Sequence, residues 1–143
     1  MARAKTGDNS RRYLGSVLTD SGGGVFCFAQ NADQIDYVTN ASAPFRVLSS
    51  GSATTRRNVS LTGVVPITST YVIANTINNS DLQLFIDIPE IGNVGAVSRY
   101  TCLANQRTPI LAAVQGRTLT YQYVSTPTGA GGFIDVWGYK YGR

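Results

Sequence analysis

The sequence predicts an all-β fold: a single antiparallel β-sandwich, jelly-roll-like, with a short disordered or extended N-terminal arm. Three observations predict it. Eleven short runs alternate apolar and polar residues, the pattern of a strand with one buried face. The segments between them are rich in Gly, Ser, Asn and Pro, which accept positive φ or pre-set a turn. No long amphipathic helix with capping residues interrupts them.

In chain order, residues 1–11 form a polar basic arm and residues 12–143 one sandwich domain. A chain of 143 residues buries roughly 68–70% of the surface exposed when unfolded, enough for one core. Strands are expected near 12–18, 24–29, 35–39, 43–48, 55–62, 70–77, 81–88, 95–104, 108–114, 117–124 and 132–141. The clearest is 81–88, with Leu82, Leu84, Ile86 and Ile88 on one side and Asp81, Gln83 and Asp87 on the other. Residues 109–114 also suit a helical turn and are read as a strand. Signals recurring every ~8–14 residues match a sandwich or barrel. In the last strand Phe133, Asp135, Trp137, Tyr139 and Tyr141 share one face, with Ile134 and Val136 on the other. Both faces need cover, so Phe133, Trp137, Tyr139 and Tyr141 are expected in the core or a subunit interface. Glycine-rich turns place Gly22, Gly23, Gly24, Thr128, Gly129 and Gly131 in exposed docking loops.

Charged residues are 14% of the chain, against about 25% in typical soluble domains. Ser, Thr, Asn, Gln and Gly must therefore cover much of the surface, which suits tight subunit packing. Residues 1–12 hold Arg3, Lys5, Arg11 and Arg12 against Asp8, a net +3 of the chain's +4. Such an arm either meets an acidic neighbour or is simply solvated. Four charges are few for nucleic acid, where affinity scales with phosphates neutralised. No apolar run approaches the ~20 residues of a membrane-spanning helix. Met1-Ala2-Arg3-Ala4-Lys5-Thr6 lacks an apolar secretory segment, so synthesis in a cytosol is expected. On that view the sequons at Asn40, Asn58 and Asn79 are ordinary polar positions; Cys27 and Cys102 read as two buried free thiols in strands, with a disulfide possible only where those strands are adjacent.

The chemistry-bearing residues are sparse. His is absent, which removes Ser-His-Asp and Cys-His nucleophiles and the commonest zinc ligand. Gly22-Gly23-Gly24 lacks the context of a phosphate-binding loop. Asp33 and Asp36 are conceivable as a glycosidase pair, but nothing flanking them suggests the burial such a pair needs. The oxygens of Asn31, Asp33 and Asp36 do not match a calcium loop, and these are ordinary turn formers. Arg56 and Arg57 suit a protected strand edge or a subunit boundary. Leu119, Tyr121 and Tyr123 form an alternating face that reads as core before sugar-stacking surface. The expectation is no enzyme, no cofactor and no metal.

Two stretches carry a resemblance. One is Arg12-Tyr13-Leu14-Gly15-Ser16-Val17-Leu18-Thr19-Asp20-Ser21-Gly22-Gly23. The other runs from Arg117-Thr118-Leu119-Thr120-Tyr121 through a Gly-rich loop to Gly132-Phe133-Ile134-Asp135-Val136-Trp137-Gly138-Tyr139-Lys140-Tyr141. With Val64-Val65-Pro66 leading into Tyr71-Val72-Ile73, the chain resembles a β-sandwich domain of tailed-bacteriophage virion proteins. The resemblance spans most of residues 12–141 and brings no catalytic residues.

It implies a homo-oligomer, a trimer first, used at tail-fibre tips, tail appendages or capsid surfaces. No fibrous shaft precedes the sandwich, which favours an accessory protein decorating the capsid or forming a small tail appendage. Arg3, Lys5, Arg11 and Arg12 would anchor it on other virion proteins after synthesis in the host cytoplasm. One alternative is a knob that binds a host-surface glycan. Another is a small jelly-roll capsid protein whose arm touches the genome.

Overall fold

Alternation at period two becomes an all-β structure. The computed structural model describes residues 17–19, 23–38, 45–89, 100–114 and 116–142. Its strands are β1 (Phe28–Asn31), β2 (Gln34–Tyr37), β3 (Arg46–Gly51), β4 (Arg57–Ser60) and β5 (Ser69–Ser80). β6 (Leu84–Asp87), β7 (Tyr100–Cys102), β8 (Gln106–Ala113), β9 (Thr118–Tyr123) and β10 (Gly129–Tyr141) follow. The ambiguous 109–114 stretch is a strand, inside β8. Most of the strand expected at 12–18 lies outside the described residues.

Two antiparallel sheets form the sandwich. One runs β1-β2-β10-β5-β8, with β3 also on β10; the other runs β4-β9-β6-β7. The eight strands from β3 onward order as 3-10-5-8 and 4-9-6-7, the double Greek key of a jelly roll. β2 and β3 lie end to end along one side of β10, pairing with Gly138–Lys140 and Gly132–Asp135 respectively. The β1–β2 hairpin thus widens the sheet beyond the eight-strand pattern.

The core lies between the sheets. Val72 and Ala74 of β5 face Leu84 and Ile86 of β6 and Leu119, Tyr121 and Tyr123 of β9, all buried. The alternation of β6 and β9 places these side chains as expected. At the β2 side, Tyr37 packs on Phe45 at 4.4 Å between ring centroids and on Tyr139 at 5.9 Å. Phe26 meets Phe45 edge-on at 4.8 Å. Such pairs add about 0.5–1.5 kcal/mol each beyond their area.

Two expectations are corrected. Phe133, Asp135, Trp137, Tyr139 and Tyr141 do not share one face. The register on β5 shifts between Val136 and Gly138, a bulge that inserts one residue and reverses the pattern. Ile134 and Val136 enter the core before the bulge, and Tyr139 and Tyr141 after it. Cys27 is exposed rather than buried, because β1 starts one residue later, while Cys102 of β7 is buried; both thiols are free.

Candidate interaction surface

The outward face of the larger sheet holds Phe133, Asp135, Trp137 and Lys140 of β10 beside Tyr71, Ile73, Asn75 and Ile77 of β5. The register pairs Lys140 with Tyr71, Gly138 with Ile73, Asp135 with Asn75 and Phe133 with Ile77. Beyond β5, Ile73 pairs with Leu111 and Tyr71 with Ala113 on β8. Tyr71 and Leu111 are 42% and 43% exposed; Ile73, Phe133, Trp137 and Ala113 are half-buried, and Ile77 and Asp135 are buried. An antiparallel sheet usually turns a polar face to water. This one does not.

One ion pair crosses the apolar field. Arg46 donates from Nε to Asp135 Oδ1 at 2.7 Å and from Nη2 to Oδ2 at 2.9 Å. Its guanidinium lies 4.8 Å from the centre of the Phe133 ring. The hydrogen bond to Asp135 raises the Arg46 pKa above its ordinary value. Asp135 is almost fully buried, so the pair neutralises a carboxylate that would otherwise be stranded among rings. On β2, the Gln34 amide donates to both Asp36 oxygens, at 3.0 and 2.9 Å. The Trp137 indole N–H is shielded and finds no acceptor among the described residues.

The four expected aromatics therefore divide. Tyr139 and Tyr141 belong to the core. There Tyr141 donates to the Ala32 carbonyl at 2.9 Å and accepts from Gln30 Nε2 at 2.7 Å. Phe133 and Trp137 stand on the outward face. Sequence reasoning missed Tyr71, Ile73 and Leu111 as their neighbours. The signal was the unbroken run Tyr71-Val72-Ile73-Ala74, which is apolar on both faces of a strand.

The loop residues divide too. Gly23, Gly24, Thr128 and Gly129 are exposed. The Thr128 N–H donates to Asp81 Oδ1 at 2.8 Å, which holds the Asp81 carboxyl below its ordinary pKa. Gly131 is no docking residue: it is buried within β10 at φ 74°, where a Cβ would sit 2.5 Å from the Gly51 carbonyl oxygen. Only glycine fits there. Gly22 and the arm residues Arg3, Lys5, Arg11 and Arg12 lie outside the described residues.

The other candidates resolve into structural roles. Asp33 sits in the β1–β2 turn, while Asp36 lies on β2 and is held by Gln34. Arg56 bridges the Ile88 carbonyl at 2.8 Å and the Thr120 hydroxyl at 3.0 Å, while Arg57 lies on the edge strand β4. Among the described residues no helix is long and apolar enough to cross a membrane. No protein-family model matches the chain, and no curated protein matches it.

Proposed function

We propose that the protein is a structural component of a virus particle, which works by packing against other protein subunits and performs no reaction. The observation that carries this reading is the outward face of the larger sheet. Apolar and aromatic side chains stand there where water would favour polar ones. The low charge of the chain agrees, since charged residues are depleted at interface centres. The place on the particle comes from the resemblance to phage virion sandwiches: an accessory protein on the capsid or a small tail appendage, anchored by the basic arm.

A second reading has its own support. The 3-10-5-8 and 4-9-6-7 strand order is a jelly roll, an architecture that recurs in viral capsid domains and in lectins. With a basic arm ahead of it, this suits a small capsid protein that builds the shell itself. Fold alone does not assign function, so this is an analogy.

One experiment separates them. The chain is expressed alone, examined by cryo-microscopy, and then mixed with purified particles. Closed shells favour the capsid protein. Binding to particles that is lost on deleting residues 1–12 favours the accessory role. Neither shells nor particle binding, together with turnover of a substrate, would sink both. Glycan binding lost on Tyr71→Ala would point instead to a host-attachment knob.

A further inference from the structure

We infer that the outward face of the larger sheet is a two-fold interface between two copies of this chain, which rests on the packing role proposed above and names its partner. The first ground is that the strand edges are poor sites for a partner. Along β8, Pro109 lacks an N–H, and the Tyr100 hydroxyl donates to the Leu111 carbonyl. The other edge strands, β1, β3, β4 and β7, are only 4, 6, 4 and 3 residues long, and β3 pairs with β10 in a register broken by two irregularities. Short or proline-bearing edges discourage an added strand. The face is the remaining route.

The second ground is self-complementarity. A two-fold axis parallel to the strands, between β5 and β10, lays each of these strands over the other in the second copy. The register then sets Phe133 level with the second copy's Ile77, itself buried in its own chain, and brings the Val136–Gly138 bulge that carries Trp137 beside its Ile73. Lys140 meets the Tyr71 ring, a cation–π arrangement, while the buried Asp135 stays paired with Arg46 of its own chain. Along these two strands no charge meets its like. An interface built from one patch on both copies requires that property.

The third ground is size. Four strand columns about 4.8 Å apart and four outward rows about 6.8 Å apart cover roughly 500 Å² per copy. The pair buries about 1,000 Å², which places it at the small end of specific interfaces. A patch that faces itself closes at two copies, so the assembly is two-fold and not the trimer implied by the resemblance.

The test is sedimentation equilibrium of the full chain across a micromolar dilution series, with the emission of Trp137, the sole tryptophan, read in parallel. The expected result is a mass of twice 15.3 kDa, with emission shifting to the red as the dimer dissociates. Leu111→Glu and Tyr71→Glu should each raise the dissociation constant at least about tenfold with unchanged circular dichroism. Val124→Glu, at a 63% exposed site in the bend after β9, should leave it unchanged. A strict monomer, a trimer, or a dimer that survives both face substitutions overturns the interface. So does a monomer whose emission changes on deleting residues 1–16, since the chain's own arm would then be the occupant. Particle binding is scored separately: a dimer that binds no particle keeps this interface and removes the virion role.

Discussion

The Tyr123 hydroxyl donates to the side-chain oxygen of Asn78 at 2.9 Å, joining β9 of one sheet to β5 of the other inside the core. Ser80 Oγ donates to the same oxygen at 2.7 Å. The Asn78 Nδ2 reaches the carbonyls of Leu82 at 2.7 Å and of Cys102 and Leu103 at 3.1 Å. One amide thus ties together the ends of β5, β7 and β9. Asn78→Leu has similar volume yet leaves several buried partners unpaired. It should lower unfolding free energy by about 3 kcal/mol in urea titrations, against about 1 kcal/mol for Tyr123→Phe, whose loss Ser80 partly covers.

Thr76 is the opposite case. Its hydroxyl is buried and has no hydrogen-bond partner among the described residues. Thr76→Val keeps the shape and removes the stranded group. The variant should be more stable by about 0.5–1 kcal/mol in the same titration.

Gly131→Ala tests the β3–β10 junction. The added methyl meets the Gly51 carbonyl in a conformation that L residues rarely adopt. A loss of about 2–3 kcal/mol is expected, read as a lower urea midpoint with an unchanged slope.

Arg46→Met removes the cation and leaves the buried Asp135 carboxylate beside Phe133. Partial exposure of Arg46 reduces the cost, which should be about 2 kcal/mol. Arg46→Met with Asp135→Asn should recover part of it, and a double-mutant cycle measures how much.

Stability should fall in alkali. Burial raises the Tyr37 and Tyr123 hydroxyl pKa values above the ordinary 10.0. In the folded state these groups hold their protons where the unfolded chain releases them. Their contribution is complete below about pH 10 and is lost progressively above it. Urea midpoints measured from pH 8 to 11 should decline only in the upper part, and Tyr123→Phe should flatten that decline.

The sequence by itself determined the fold class and most of the strands. β6 and β9 are short and carry apolar residues at every second position, so the period assigns Leu84, Ile86, Leu119, Tyr121 and Tyr123 to the core. The stretch 109–114 suited a helical turn as well as a strand, and the strand reading holds inside β8.

Tertiary structure decided the rest. The bulge at Trp137 depends on how β10 meets β5 and β2, two strands distant in sequence, and it redistributes every aromatic that follows. Cys27 fell outside β1 because strand ends are set by pairing partners rather than by local pattern. Asn78 and Ser80 looked like turn residues, and only the approach of Tyr123 and Cys102 makes them core. The outward apolar field exists because β5, β8 and β10 are neighbours. A sequence contains those residues but not their adjacency, which long-range pairing alone creates.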